Sequence, residues 1–440
     1  MRGRLSALKR ADKLLITALV ICGASCAAED AHAQLIQQYF PADIPGYSAN
    51  FSASVLNRME TQDQAEGVEV GDFVIRPEIS ETAGYDSNTL GTPNSGSSEI
   101  DTNAGIRANS DWGRDALGAS FSVDDRRYLA LPSASYTNWT AAAGGALTLG
   151  NDTATISFSH RALNLAATDL GVYGVETPVP YSIDDVRLSY TKVLSRFSVT
   201  PSLEFQNFTF GQSSGGIAIN YNALDHKTES GMVTTGYDFS PGDAAVMILR
   251  MAQAQFPMAP SDNYVDLGGF AGLDFRGASV IQFRALAGLE RRSFRQNATQ
   301  TVTTPTFELD VVWTPTELDT VTGTATRQQE DPTSPFALNQ IVTNARVELY
   351  HELRTNVFLT GYVAGGQSQS QSNIPGFGAN TQTQLNLGIS ALWNINQHLR
   401  GTLGYGYSRG VGSGAPASTF GSGYNSFTSQ TFLLGISIFE

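Results

Sequence analysis

The chain has 440 residues, of which 41% are hydrophobic and 15% charged, against roughly 45–50% and about 25% in typical soluble domains. Its 27 basic and 41 acidic residues give a net charge of −14, which argues against nucleic-acid binding because that function needs a basic surface. Beyond the N-terminus no apolar run reaches about 18 residues, which excludes a protein with several membrane-spanning helices. Low charge without long apolar runs suits a chain that faces lipid and water at alternate residues.

The first 33 residues have the pattern of a cleaved secretory signal peptide. A basic start is followed by the apolar stretch 14–24 and by the Ala-His-Ala triplet 31–33, which satisfies the small-x-small rule for cleavage. Cleavage after Ala33 would remove both cysteines, Cys22 and Cys26, and leave 22 basic against 38 acidic residues. We therefore expect an exported, cysteine-free mature chain with a net charge of −16.

Residues 34–72 differ from the rest of the chain. They show no clean period and contain Pro41, Pro45 and Gly46, so we expect a periplasmic N-terminal segment that is ordered at best in part. The segment is also large enough to enter the mouth of a pore, so its role as a plug is an open alternative.

From Phe73 to the end, apolar and polar residues alternate with the two-residue period of half-buried strands. Within 306–313, for example, Phe307 and Leu309 share one face and Glu308 takes the other. These runs extend for roughly 12–18 residues, whereas globular strands centre on about 5–6 and a membrane-crossing strand needs about 9–11. Their length favours a membrane barrel over a soluble sandwich.

Short and long connections alternate strictly along residues 73–440. The short turns are predicted at 111–114, 150–152, 194–196, 240–243, 276–278, 314–317, 354–356 and 394–397. The longer links are predicted near 87–98, 129–135, 166–180, 211–217, 257–262, 294–303, 328–337, 368–380 and 410–426. Seventeen connections predict an all-β, transmembrane, antiparallel up-and-down β-barrel of about 18 strands, with short periplasmic turns and longer outer loops. The sheet must close, because an open edge would leave backbone groups unpaired in lipid.

The start of this region carries a family resemblance. Residues Val55-Leu56-Asn57-Arg58, Glu66-Gly67-Val68-Glu69-Val70-Gly71-Asp72-Phe73, Arg76-Pro77-Glu78-Ile79 and Gly84-Tyr85-Asp86-Ser87-Asn88 resemble the putative beta-barrel porin 2 family. The resemblance implies a protein of the outer membrane of a Gram-negative bacterium, loosely associated with exopolysaccharide production. It covers the mature chain in architecture, but specific motifs occur only around 55–88.

The C-terminus resembles a signal for the barrel-assembly machinery. Phe432, Leu434, Ile436 and Ile438 alternate up to the last residues. Glu440 departs from the pattern, because an aromatic residue usually ends such chains.

If the apolar face of each strand meets lipid, the other face lines the lumen. The candidate pore-lining residues are Arg107, Arg161, Arg187, Arg250, Arg284, Arg346, Arg400, Asp124, Glu204, Asp238, Glu308, Asp310 and Glu348. Two interpretations stay open. Arginines on one wall and acids on another would set up a transverse field, whereas cross-strand ion pairs would only stabilise a solvated wall.

The predicted strand count implies a water-filled channel, because roughly 16–18 strands leave an aqueous lumen unless something fills it. The loops around 166–180, 368–380 and 410–426 are long enough for one of them to fold inward as a constriction. Near the short turns, Trp112 and Trp313 fit an interfacial aromatic girdle better than a sugar slide.

Catalytic and metal-binding motifs are not convincing. The G-x-S-x-G match at 211–215 joins two strands, whereas a nucleophile elbow needs a strand followed by a helix. The mature histidines are isolated, and His226, next to Asp225, is expected near the middle of a strand. The sequence therefore predicts no enzyme, no cofactor and no metal site.

The sequence favours an outer-membrane porin-like protein that gives passive passage to hydrophilic solutes, with saccharides among the candidates. The alternative is a non-conducting outer-membrane partner of an exopolysaccharide production or export system. Expected partners are outer-membrane lipid, the barrel-assembly machinery, and polysaccharide or small polar solutes, with no nucleic acid.

Overall fold

The computed structural model describes residues 67–172, 175, 177–212, 220–277, 280–295, 300–372, 380–413 and 426–440. The predicted signal peptide and residues 34–66 of the N-terminal segment lie outside this part of the chain. Within it, no helix is both long and apolar enough to cross a membrane.

The described residues form one sheet of nineteen strands. In chain order the strands are β1 (Val68–Val70), β2 (Phe73–Asp86), β3 (Ser97–Ser110), β4 (Ala116–Tyr128), β5 (Tyr136–Leu149), β6 (Asp152–Leu165), β7 (Val179–Leu194), β8 (Phe197–Phe210), β9 (His226–Ser240), β10 (Asp243–Gln255), β11 (Tyr264–Phe275), β12 (Ile281–Phe294), β13 (Thr301–Thr316), β14 (Asp319–Glu330), β15 (Ala337–Arg354), β16 (Val357–Ser372), β17 (Asn380–Asn396), β18 (Leu399–Ser413) and β19 (Phe427–Phe439).

The sheet closes into an antiparallel barrel of eighteen strands, β2 to β19. Each strand pairs with the next along the chain, and β19 pairs with β2 in a register that runs from Thr431 opposite Asp86 to Phe439 opposite Glu78. The predicted barrel and its strand count are therefore confirmed. In addition, the short strand β1 pairs back onto β2 within a segment for which the sequence predicted no strand.

Short and long connections alternate around the ring as predicted. Those at the end that the sequence assigns to the periplasm have two to five residues, and those at the other end have six to fifteen. Among the described residues, the longer connections contain 3-10 turns at Pro132–Ala134, Tyr221–Leu224 and Pro260–Asp262.

The outward face of the barrel is apolar. Large side chains such as Leu249, Leu289 and Leu434 are 55–65% exposed, and polar side chains such as Arg250, Glu290 and Ser437 occupy alternate positions of the same strands. Monomeric soluble proteins rarely expose a continuous apolar surface of this kind, whereas a lipid-facing barrel requires one. The exposed Trp112 and Trp313 lie in or next to the short turns, where the sequence predicted a girdle.

The largest buried apolar cluster lies inside the barrel, at the end with the long loops. It consists of Leu163, Leu165, Val172, Val175, Val179, Tyr181, Ile183, Phe210, Tyr221 and Leu224. These residues come from the facing ends of β6, β7 and β8 and from the two loops that follow β6 and β8. The lumen is thus partly filled by the chain itself near its outer mouth.

Candidate functional site

The candidate site is the inner wall of the barrel together with two loops that fold onto it. The strand register places all of the predicted pore-lining residues on the face opposite the exposed apolar side chains. They are Arg107, Arg161, Arg187, Arg250, Arg284, Arg346, Arg400, Asp124, Glu204, Asp238, Glu308, Asp310 and Glu348. Asp238 lies exposed near the periplasmic end of β9, so this set spans most of the height of the wall.

A continuous series of ion pairs follows the wall from β6 to β8. Arg161 lies 3.3 Å from the carboxylate of Asp185, and both side chains are fully buried. Arg187 contacts the same carboxylate at 3.2 Å and Glu204 of the next strand at 2.6 Å. Arg187 and Glu204 remain 28% and 31% exposed, so this pair faces the lumen while Asp185 lies behind it.

The series continues on the following strands. Arg250 pairs with Glu290 across β11, and Arg284 lies 3.2 Å from Glu308. Glu290 is only 1% exposed, whereas Arg250 is 35% exposed.

Elsewhere on the wall the same arrangement recurs. Arg346 lies 3.0 Å from Glu348, and Arg107 lies 3.1 Å from Glu78. Because acids and arginines pair on the same strand, on neighbouring strands or, for Arg250 and Glu290, across one intervening strand, the geometry favours local ion pairing over opposite walls of opposite sign. Arg400 donates to the side-chain oxygen of Asn394 at 2.9 Å.

A second cluster, around Arg292, was missed in the sequence. Arg292 is 2% exposed and donates to Asp266 at 2.9 Å, and its guanidinium lies 3.7 Å from the ring centre of Tyr264. Its other terminal nitrogen lies 3.4 Å from Asp331, which also accepts from the Tyr264 hydroxyl at 2.6 Å. The alternation of β12 could have revealed Arg292, because it lies an even number of residues from Arg284 and Glu290 and therefore on the same face of the strand.

His226 completes this cluster. It begins β9, so the expectation that it lies near the middle of a strand is wrong. One ring nitrogen contacts the backbone oxygen of Leu224 at 2.6 Å and the other lies 3.1 Å from Asp331. Phe208 and Phe256 stack on its two faces with ring centres 4.3 and 4.6 Å away. The whole ring is therefore engaged in packing and hydrogen bonding.

These contacts hold the β14–β15 loop, residues 331–336, against the inner wall. Arg292 also donates to the backbone oxygen of Glu330 at 3.1 Å. Burial would raise the pKa of the Asp331 carboxyl, but His226 and Arg292 outweigh it and hold that pKa below its ordinary value. Asp331 is thus the charged anchor of the loop.

The β6–β7 loop, which the structure describes at 166–172, 175, 177 and 178, also folds inward. The backbone N–H of Gly171 donates to the side-chain oxygen of Gln382, whose amide donates to the oxygen of Val172 at 2.9 Å. Thr333 donates to the oxygen of Gly171 at 2.9 Å. Of the three loops that the sequence offered as constrictions, this one is confirmed to enter the lumen. Most of the other two lies outside the described residues.

A cavity of about 650 Å³ lies between the ion-paired wall and residues 328–333. Its lining combines charged pairs with hydroxyl and amide groups, including Arg187, Glu204, Gln206, Thr228, Ser230 and Arg250. Among the described residues, no group of three or more histidine, cysteine or acidic side chains could hold a metal ion.

Comparison with known proteins gives the following similarities. A family model described as Putative beta-barrel porin 2 matches residues 63–420. No curated protein matches the sequence.

Several solved structures have a similar fold. OccK2 (OpdF) of Pseudomonas aeruginosa has a TM-score of 0.46 at 9% identity, covering 83% of this chain and 98% of its own. The outer membrane protein OpdK of the same organism has a TM-score of 0.43 at 10% identity, with the same coverage. OccAB3 of Acinetobacter baumannii has a TM-score of 0.44 at 10% identity, covering 84% of this chain and 100% of its own.

Proposed function

We propose, since the chain belongs to the Putative beta-barrel porin 2 family, that it is an outer-membrane channel that gives passive passage to hydrophilic solutes. The closed ring of eighteen strands supports this proposal, because a barrel of this size encloses more space than its wall residues can fill. We further propose neutral saccharides as a solute class for this passage.

The observation that carries the proposal is the charge-balanced, hydroxyl-rich cavity in the lumen. Arg187 is matched by Asp185 and Glu204, and Arg250 is matched by Glu290, so neither sign dominates this part of the wall. Such a wall has little preference for ions of one sign. Hydroxyl and amide groups can both donate to and accept from a polyhydroxylated solute, as water does.

In this proposal the predicted pore-lining residues keep the wall hydrated. The exposed parts of Arg187, Glu204 and Arg250 contact the passing solute, whereas the buried carboxylates fix the direction of each guanidinium. Arg107 and Glu308, which are 39% and 44% exposed, would contact solute on other parts of the wall.

The test is solute uptake by liposomes that contain the purified mature protein. We expect swelling in isotonic solutions of neutral mono- and disaccharides, together with step-like currents in planar bilayers. An Arg107→Gln and Glu78→Gln double variant removes one charge of each sign from an exposed ion pair and should leave saccharide uptake within about twofold. Deletion of residues 34–66, which leaves β1 in place, tests whether the N-terminal segment reduces the flux.

A protein that gives neither swelling nor current, with or without residues 34–66, would contradict the proposal. It would point instead to a non-conducting partner of a polysaccharide system.

A further inference from the structure

The outward face of the barrel becomes polar towards the end with the long loops. On β10, β11 and β12 the apolar band ends at Met251, Leu267 and Leu289, which are 54–60% exposed. Beyond them the same face of β9 to β12 carries a group of polar side chains, which we call the rim patch. It consists of Lys227, Glu229, Gln253, Arg291, Ser293 and Arg295. The rim patch therefore adjoins the surface that faces lipid.

The strand register places the two arginines of the rim patch. Arg291 lies opposite Leu267 of β11, so it shares the outward face and stands at the edge of the apolar band. Arg295 follows four residues later, and its side chain donates to the side-chain oxygen of Gln253 at 2.8 Å. At about 3.3 Å per residue, the two arginines are about 13 Å apart along the strand. They can therefore contact two separate groups of one large headgroup.

The charge of the rim patch is not balanced. Within the part of the chain that the structure describes, the side chains of Lys227 and Arg291 form no hydrogen bond or ion pair. Arg295 bonds only to the neutral amide of Gln253 there. The one acid of the patch, Glu229, accepts from the same amide at 2.7 Å. Three cations against one acid leave a net positive charge.

This excess is local, because other cations on the outward face are paired. On β4, Arg127 donates to Asp125 at 2.7 Å. On β6, a ring nitrogen of His160 lies 2.7 Å from Asp184 of β7. The chain as a whole has a net charge of −14, so exposed, unpaired cations at one place point to an anionic ligand at that place.

The position of the rim patch indicates what kind of anion it meets. Guanidinium groups bind phosphate through two parallel hydrogen bonds, and basic residues at the edge of a bilayer attract anionic headgroups. Ser293 and Thr303, which lies opposite Arg291, add hydroxyl groups that can bond to a sugar. Directly below, Leu267 and Leu289 offer an apolar surface for acyl chains.

We propose that the rim patch binds a phosphorylated glycolipid of the outer leaflet. Arg291 and Arg295 bind its phosphates, Lys227 strengthens the attraction, and the apolar band below contacts the acyl chains. The inference is independent of whether the lumen conducts solutes.

The test measures binding of diphosphorylated lipid A to the folded mature protein in detergent, by native mass spectrometry. Monophosphorylated lipid A, phosphatidylglycerol and inorganic phosphate are the comparison ligands. The test variant combines Arg291→Gln with Arg295→Gln. The matched control combines Arg196→Gln with Arg354→Gln, which removes the same charge from exposed residues at the periplasmic end. Migration in unheated gel samples verifies that both variants are folded.

We expect the test variant to bind lipid A about 25-fold more weakly than the native protein at low salt, because each basic residue beside an anionic headgroup contributes about fivefold. The control should bind as the native protein does. Monophosphorylated lipid A should bind the native protein about fivefold more weakly than lipid A. Inorganic phosphate should not displace lipid A, because it lacks the acyl chains that contact the apolar band.

Three results would overturn the proposal. If the native protein does not bind lipid A, there is no such site. If both double variants lose affinity equally, net charge governs binding and the rim patch does not. If phosphatidylglycerol binds as tightly as lipid A, the surface does not recognise the phosphorylated sugar headgroup.

Discussion

Arg292 shows what one charged residue does inside the wall of this barrel. Its guanidinium is surrounded by Asp266, Asp331 and the ring of Tyr264, and both Arg292 and Asp266 are 2% exposed. Charges that are removed from water must be matched closely, because an uncompensated buried charge costs several kcal/mol. The arginine is therefore required by the acids around it, whatever passes through the lumen.

We expect Arg292→Ala to lower the free energy of unfolding by about 3–5 kcal/mol, because it leaves Asp266 buried without its partner. The matched control is Arg107→Ala. Its pair with Glu78 is 39% and 52% exposed, so its loss should cost less than about 1 kcal/mol. Urea unfolding from lipid vesicles measures the free energy of unfolding of both variants. An equal loss of this free energy in the two variants would mean that burial does not decide the strength of these ion pairs.

At the scale of elements, the two inward loops are held by different means. The β14–β15 loop depends on charged groups around Asp331, whereas the β6–β7 loop depends on neutral hydrogen bonds at Gly171 and Gln382. The contacts at Asp331 should therefore respond to pH more strongly than those at Gly171 and Gln382.

Acidification is expected to release the β14–β15 loop. The pKa of Asp331 is lower in the folded protein than in the unfolded chain. The carboxylate therefore contributes stability above its ordinary pKa, and this contribution is lost as the pH falls from that value through the folded pKa. Hydrogen exchange of residues 331–336, compared at matched pH between the native protein and Asp331→Asn, measures the effect. The variant should exchange faster at neutral pH, and the difference should shrink in acid. A constant difference down to pH 3 would contradict this assignment.

Gly171 should be sensitive to substitution. Its φ of +89° is disfavoured for residues with a Cβ, and a Cβ there would collide with the side chain of Gln340. We expect Gly171→Ala to detach the β6–β7 loop and to raise the conductance of the barrel. Gly150→Ala is the matched control, since Gly150 has a φ of +72° in a periplasmic turn with nothing within 4 Å of the added Cβ. The Gly150→Ala variant has the backbone strain without the collision. An equal rise in conductance in both variants would therefore contradict the role of the docked loop.

The strands could be predicted from the sequence, but the inward loops could not. Alternation in β13 and β17 depends on near neighbours in the chain and is visible without any structure. The contact between His226 and Asp331 joins residues 105 positions apart, and no local pattern encodes it. His226 was misplaced because the 3-10 turn Tyr221–Leu224 extends the preceding loop as far as Asp225.

At the scale of the whole molecule, the first and last barrel strands close the ring. The β19–β2 seam has nine register pairs, against fourteen between β2 and β3. The seam is also tightly packed, because a Cβ at Gly84 would collide with the backbone oxygen of Phe432 and the side chain of Leu433.

We expect Gly84→Ala to impair closure and to destabilise the barrel by about 1–3 kcal/mol, because the collision forces the two strands apart. Gly323→Ala is the matched control, since its nearest atom lies 3.9 Å from the added Cβ. The fraction that migrates as folded barrel in unheated gel samples measures closure. If the two variants fold to the same extent, packing at the seam does not limit closure.

The anchoring of the β6–β7 loop on the far wall also has a mechanical consequence. A ring of hydrogen-bonded strands resists stretching along its circumference but bends easily, so a wide ring is soft against lateral pressure from the bilayer. The contact of Leu170 with Val342 of β15, nine strands from β6, links opposite sides of this ring and fixes one of its diameters. A change in membrane tension would then deform the barrel mainly along the diameter that this contact does not constrain.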